Sequence, residues 1–376
     1  MRRKVEKKHE KQGEILTNAA LRWLGRAPAA RADLLMPKLI IQIPCLNEAE
    51  TLPETLAALP REVPGVDTIE TLVIDDGSTD ETVKVARRAG VNHIVRFPQN
   101  QGLARAFSAG VDAALKLGAD IIVNTDADNQ YEADDIPSLV RPILEGRADM
   151  VVGDRGPENV QHFSRLKRTL QYYGSWAVRG LSGTNVPDAA SGFRALDRRA
   201  ALRLNVVSEF TYTLETLVQA GKKQLAVEHV PVRTRETRPS RLFTGIPSYL
   251  RRSFLTLVRI YSLYEPIKVF WSLGALMLAG GFFLFARFAL YSFLFGPQGL
   301  VQSLIFGAAL SIIGVQTILM GLIADLIASN RSLIEDNLLR VRKLELRLGE
   351  RPDLEPGYQP VEGVQGEPVA ESAEGS

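Results

Sequence analysis

Cysteine is almost missing from this 376-residue chain: Cys45 stands alone, so no internal disulfide and no cysteine-rich zinc or iron–sulfur site can form. Histidine is scarce as well. His9, His93, His162 and His229 are scattered, read as surface or packing residues, and assemble no Ser-His-Asp triad. Neither G-x-G-x-x-G nor a Walker lysine loop occurs, which removes support for a dinucleotide oxidoreductase or an ATPase. Net charge is nearly absent too, but only by cancellation: 45 basic side chains offset 43 acidic ones to leave +2. From Ala32 to Arg155 acids outnumber bases about two to one, whereas Met1 to Arg31, Gln161 to Arg203 and Arg233 to Lys268 are basic. Charge is lacking in earnest between Val269 and Ala324, where Arg287 is the single exception. A membrane protein with a large water-facing part is the reading that fits, and no nucleic-acid partner is expected.

Val269 to Ala286 is uncharged, and Phe288 to Ala324 is uncharged for longer than the ~20 residues one span needs. Two spans joined at Gly296-Pro297-Gln298-Gly299 fit best. Phe288, Tyr291, Phe293 and Phe295 before the turn suit an interfacial belt, and Arg287 suits a snorkelling anchor. Both flanks are basic, with Arg251, Arg252, Arg259 and Lys268 before the pair and Arg331, Arg340, Arg342 and Lys343 after it, which places both in the cytoplasm. No secretory signal leads the chain, because GEILTNAALRWLGR is short and broken by Arg22 and Arg26; the water-facing part and both termini are expected to be cytoplasmic, at the cell membrane. Ser248 to Tyr264 alternates arginines with bulky apolar residues, as a helix lying on the membrane does. Leu333, Leu338, Val341, Leu344 and Leu348 recur at near-heptad intervals; a self-associating helix and a solvated amphipathic one both fit, so a homo-oligomer stays open. From Pro352 onward the chain is rich in Gly, Pro and Glu and reads as a disordered acidic tail.

In the water-facing part, apolar runs alternate with helical patterns. Leu39 to Ile43, Glu70 to Ile74, His93 to Phe97 and Asp120 to Asn124 predict strands; Ala49 to Leu59, Asp80 to Ala89 and Leu103 to Leu117 predict helices. Such alternation predicts an α/β fold with a mostly parallel, doubly wound sheet, whose ligands bind beyond the carboxyl ends of the strands. After the first run come Asn47 and Glu48, after the second Asp75 and Asp76, and after the fourth Asp126, Asp128 and Gln130. Five carboxylates on one edge repel one another unless a hard cation or a donor-rich ligand sits among them. Asp126-Ala127-Asp128 puts two of them on one side of an extended loop, suited to a divalent ion that also binds phosphate oxygens.

Six ordered segments carry a resemblance. IPCLNEAETL (43–52), LVIDDGSTDET (72–82), NQGLARAFSAGVDAALKLGAD (100–120), TDADNQY (125–131), VVGDR (151–155) and DAASGFRAL (188–196) together resemble the inverting family-two glycosyltransferases. Within them the chain is similar to the dolichol-phosphate mannosyltransferase branch, including bacterial polyprenyl-phosphate glycosyltransferases with a carboxyl-terminal membrane hairpin. The resemblance spans roughly Pro37 to Glu335 and implies a nucleotide-sugar-binding domain of the GT-A type. It also implies that Pro44, Asn47, Glu48, Asp75, Asp76, Asp126 and Ala127 line the donor nucleotide, and that Asp126, Asp128 and Gln130 hold Mg²⁺ or Mn²⁺. Asp128 and Arg155 are the implied catalytic pair, with Arg155 at the donor–acceptor junction.

On the acceptor side, Phe163 to Gly180 mixes basic residues with aromatics, matching the family's interface helices; Arg165 or Arg168 would meet a lipid phosphate. Ser191, Gly192 and Arg194 would shape the sugar site, with a salt bridge an equal reading for Arg194. Downstream, VPVRTRETRPSRL has arginine where the family more often has glycine and lysine, so Arg235, Arg238 and Arg241 all stay candidates for the acceptor phosphate.

The reaction implied is metal-dependent transfer, with inversion, of a sugar from a UDP- or GDP-linked donor to undecaprenyl or dolichyl monophosphate. A processive polysaccharide synthase is the alternative within the superfamily, but its Q-x-x-R-W motif is missing; a membrane scaffold with a degenerate transferase domain is the alternative outside it. The expected organisation is a basic extension suited to an interfacial helix (1–36), the catalytic domain (37–242), a juxtamembrane amphipathic helix (243–267), two spans (268–328), an amphipathic cytoplasmic helix (329–350) and the tail (351–376).

Overall fold

A computed structural model describes residues 37–156, 179–180, 182–206, 212–235, 259, 264–296 and 301–348. The chain divides into two units between Thr237 and Arg238.

The first unit is built on seven strands, β1 (Lys38–Cys45), β2 (Thr68–Asp75), β3 (His93–Arg96), β4 (Ile121–Asn124), β5 (Met150–Asp154), β6 (Arg194–Asp197) and β7 (Val227–Pro231), in the order β3-β2-β1-β4-β6-β5-β7. The four apolar runs read from the sequence are β1 to β4, with β3 at one edge of the sheet. β1 pairs in parallel with both β2 and β4, and β2 with β3. Between them run α1 (Leu52–Ala58), α2 (Thr82–Arg88) and α3 (Leu103–Lys116); α4 (Ile136–Leu144) follows β4, and α5 (Arg198–Arg203) and α6 (Tyr212–Lys222) follow β6. Leu39, Ile41, Ile43, Val73, Ile121 and Val123 alternate onto one face and form the core with Leu52, Leu139 and Ile143. β1 and β4 are buried on both faces, which is why they read as short continuous runs rich in branched residues.

One strand departs from the parallel rule. β6 is antiparallel to both neighbours, with Asn124 opposite Arg194 and Val152 also opposite Arg194. Its entry loop, residues 188–193, therefore lies at the edge where β1, β2, β4 and β5 end. That reversal brings the 188–193 segment to the edge where the parallel strands already deliver the loops after β1, β2, β4 and β5.

The second unit contains α7 (Pro266–Phe295) and α8 (Val301–Leu348), both long and apolar enough to cross a membrane. Pro266 opens α7, where its missing N–H costs nothing, and Gly296 at φ +88° closes it in the left-handed conformation glycine favours. The sequence reading ends the second span near 328 and starts a separate helix there. Instead α8 continues unbroken for 48 residues, because no glycine or proline interrupts it after Gly321. The two helices pack through glycines seven residues apart, Gly274 and Gly281 on α7 against Gly307, Gly314 and Gly321 on α8. A β-carbon on Gly274 would lie 2.8 Å from the Gly314 carbonyl, and one on Gly314 would lie 3.0 Å from that of Gly274. A seven-residue repeat of small residues lets helix backbones approach with a left-handed crossing. The expected interfacial helix at 243–267, the N-terminal extension and the acidic tail fall largely or wholly outside the described residues.

Candidate active site

The loops after β1 and β2 are stitched together by polar contacts. Asn47, at φ +56°, donates its N–H to Ser78 Oγ (2.9 Å) and accepts from the Thr79 N–H (2.8 Å), while the Glu48 N–H donates to Thr82 Oγ1 (2.9 Å). Pro44 is buried within β1, opposite Ile74. Asp75 is fully buried; one oxygen accepts from the Ser78 N–H (3.2 Å) and the other lies 3.3 Å from Arg96 Nε. Both oxygens of Asp76 accept backbone N–H groups at the start of α3, from Gln101 (2.7 Å) and Gly102 (2.9 Å), where the helix dipole favours a negative charge. Burial nevertheless raises its pKa, the two N–H bonds opposing. Gly77 has φ +74°, and a β-carbon there would lie 2.6 Å from Asn100 N, so this turn accepts only glycine. The acidic pair thus supports the loop geometry whatever it binds.

Asp126 and Asp128 follow β4. Burial, then the neighbouring Asp128 charge, push the Asp126 carboxyl up to about 7, although Arg155 pulls the other way and Glu48 adds to the rise. A carboxyl raised by burial and by a neighbouring like charge is in a place where a cation would favour its charged form. The oxygen donors of Asp126, Asp128 and Gln130 suit a hard divalent ion. Among the described residues no group of three His, Cys, Asp or Glu side chains is placed to hold a metal by itself. Mg²⁺ is typically held by one or two carboxylates together with substrate phosphates. Ala127 is buried, its carbonyl accepting from Thr55 Oγ1 (3.0 Å).

Arg155, just beyond β5, makes a bidentate pair with Asp188 (Nε–Oδ2 2.6 Å, a second nitrogen to Oδ1 2.9 Å). The Asp188 side chain is wholly buried and that of Arg155 only 11% exposed. Burial works against the charge on Arg155, but Tyr131, Asp188 and Asp126 together hold it in its charged form.

The third wall is the loop before β6. A β-carbon on Gly192 would lie 2.8 Å from the Tyr212 hydroxyl and 3.2 Å from Asp126 Oδ1, so the backbone itself abuts the carboxylate. Gly192 donates its N–H to the Tyr131 hydroxyl (3.2 Å) and accepts from Asn124 Nδ2 (2.9 Å), while Gln42 Nε2 donates to Asn124 Oδ1 (2.9 Å). Asn124 also reaches the Tyr212 hydroxyl (3.0 Å), and the Tyr212 ring stacks on Phe107 at 4.0 Å. Ser191 is fully buried. Arg194 is buried too, and its guanidinium donates to the Ser191, Ala189 and Thr213 carbonyls and to Thr216 Oγ1 at 2.6–2.9 Å. Burial lowers its pKa to about 10. Arg194 thereby ties residues 189–191 to α6 through carbonyl and hydroxyl acceptors.

Arg235 lies next to the carboxylate loop, its N–H donating to the Gln130 carbonyl (2.8 Å), but its guanidinium is engaged by Glu132 (2.6 and 2.7 Å). Arg165, Arg168, Arg238 and Arg241 lie outside the described residues. Sequence reasoning gave no role to Tyr131 and Asp188, although both stand inside segments it singled out. It also missed Gln42, Asn124 and Tyr212: the first two read as strand residues, and Tyr212 carries no local signal.

Residues 40–204 match the model of "Glycosyl transferase family 2". The chain is 30% identical over 216 residues to UDP-N-acetylglucosamine–dolichyl-phosphate N-acetylglucosaminyltransferase of Methanococcus voltae, covering 51% of this chain and 83% of that one. It is 29% identical over 218 residues to undecaprenyl-phosphate mannosyltransferase of Micrococcus luteus, covering 54% and 87%. Among solved structures, glucosyl-3-phosphoglycerate synthase of Mycobacterium tuberculosis, in complex with Mn²⁺, UDP and glucosyl-3-phosphoglycerate, covers 60% of this chain and 79% of its own, with 20% identity and a TM-score of 0.48. The protein is a glycosyltransferase with a mostly parallel α/β domain, and it belongs to glycosyl transferase family 2.

Proposed function

We propose that this protein transfers a sugar, with inversion, from a UDP- or GDP-linked donor to a polyprenyl monophosphate at the cytoplasmic face of the membrane. The observation that carries the reading is the meeting, at one sheet edge, of the Asp126–Asp128 pair, the charged Arg155 held by Asp188, and the backbone of Gly192. Relatives named for transfer to dolichyl and undecaprenyl phosphate support the acceptor class, and α7 and α8 supply the means of reaching a lipid.

An oxygen of the lipid monophosphate forms the new bond to the anomeric carbon while the bond from that carbon to the donor's diphosphate oxygen breaks, releasing a nucleoside diphosphate. The attacking phosphate is already anionic, so no side chain is required to take a proton from it. Asp126, Asp128 and Gln130 would hold a divalent ion that neutralises charge on the leaving diphosphate. Arg155 offsets repulsion between the two phosphates, and Asp188 fixes the direction in which its nitrogens point. Gly192 leaves room beside Asp126 where any side chain would intrude.

Purified full-length protein incubated with undecaprenyl or dolichyl phosphate and a panel of labelled UDP and GDP sugars tests this. Labelled glycolipid that forms only with Mg²⁺ or Mn²⁺ present is the expected result. Transfer to a water-soluble acceptor but to neither lipid would sink the acceptor assignment, and full transfer in a chelator would sink the metal.

A further inference from the structure

We infer that two copies of this chain pair in parallel and in register along the outer face of α8, an interaction that rests on the proposed membrane crossing. α7 covers the side of α8 that carries Gly307, Gly314 and Gly321. A different face stays bare. Ile313, Met320, Ile327, Ile334, Val341 and Leu348 recur every seven residues along it, each 47–70% exposed. Taken as the first position of a heptad, they place Gln316, Ile323, Asn330, Asn337 and Leu344 at the fourth, the other seam position of a two-stranded coil.

Two features of this seam call for a partner. Gln316 sits within the uncharged stretch and is exposed on the helix surface, where its carboxamide meets hydrocarbon unless another helix bonds to it. Past Ala324 the helix runs on for 24 residues, about 36 Å, so lipid cannot cover Ile334, Val341, Leu344 and Leu348 on a straight continuation. Left bare, that strip would face water.

A second copy fits this face. Membrane insertion gives every copy the same direction, so pairs are parallel. In register, Gln316 meets its own counterpart, and a carboxamide both donates and accepts. Arg340 then falls opposite Glu345 of the second copy, five positions on, and the two-fold axis repeats the pair. An antiparallel pair would set Arg340 and Arg347 against each other. Val341 at the first position with Leu344 at the fourth is a pairing that favours two strands, and in register Asn330 and Asn337 each meet their own counterpart, able to donate and accept.

Full-length protein in native membranes tests the pairing. Cys45 is buried and leaves single introduced cysteines readable. Under copper–phenanthroline oxidation, Ile334→Cys and Val341→Cys should form disulfide-linked dimers at least several-fold more than Asp336→Cys and Lys343→Cys, which lie off the seam. In nanodiscs, Gln316→Leu should raise the dimer dissociation constant by about three- to fifteenfold. Equal cross-linking at all four positions, a monomeric mass, or a trimer would overturn the proposal. Alkaline carbonate extraction separates the two levels: release of the protein sinks the membrane reading itself, whereas an embedded monomer sinks only the pairing.

Discussion

Glycine does the same steric job at the sheet edge and in the helical hairpin, but for different neighbours. At the edge, Gly192 makes room for a carboxylate and a hydroxyl; in the hairpin, Gly274 and Gly314 make room for each other's backbone. Around Gly192 the loop is held by directional bonds, through Tyr131, Asn124, Gln42 and Arg194. Around Gly314 the contacts are the Gly274 carbonyl and Leu278, fixed by shape alone. A site that must orient charge is built from satisfied polar networks, which are costly if one member is lost. A hairpin expected to sit in lipid is built from close packing, which degrades by degrees.

Four substitutions would break or sharpen that contrast. Asp128→Ala should abolish sugar transfer, by a thousandfold or more on the order of what preorganised charge contributes, while thermal unfolding and membrane retention stay as in the parent. Retained turnover in a labelled-sugar assay would remove the metal assignment. Asp188→Ala leaves the Arg155 charge buried without its partner and should cost about 3–5 kcal/mol in a denaturant titration of the first unit's unfolding. A loss under about 1 kcal/mol would mean that the edge is not an interlocked network. Gly192→Ala should weaken Mn²⁺ binding in the presence of UDP by about 10- to 100-fold, read by calorimetry. Gly314→Ala forces the two helices apart by a few tenths of an ångström and should cost about 1–2 kcal/mol in SDS-driven unfolding of the hairpin, leaving Mn²⁺ binding untouched. If Gly314→Ala altered metal binding as strongly as Gly192→Ala, the division of labour between the two regions would not hold.

Legibility in the sequence tracked the physics of each element. β1 to β4 were legible because their apolar runs are bounded by turn residues, and the carboxylate edge because a parallel sheet gathers the residues just beyond those runs on one side. β6 was not: it is four residues, RALD, beginning with an arginine whose charge disguises a buried strand. Arg194 is tolerated there because four acceptors surround it, a fact of tertiary register rather than composition. Tyr212 was illegible for the same reason, reaching Asn124 across 88 positions. The boundary expected near 328 rested on a change from apolar to charged residues, but a helix backbone ends at a breaker, not at a change of polarity. The acceptor arginines at 165, 168, 238 and 241 stay expectations from the resemblance.

The reversed strand β6 also sets an order of assembly. The loops beyond β1 and β2 belong to a contiguous stretch near the start of the folded unit, and β1 and β2 close over 30 residues, as Cys45 to Asp75 does. β4 joins β1 only when Ile121 reaches Leu39, 82 positions away, and β6 then joins β4 when Asp197 reaches Ile121, 76 positions on; such distant pairings form slowly. During synthesis the donor-side loops can therefore be in place well before Gly192 and Asp188 arrive beside Asp126. A nascent chain acquires its charge-orienting wall last, and no half-made protein carries the complete site.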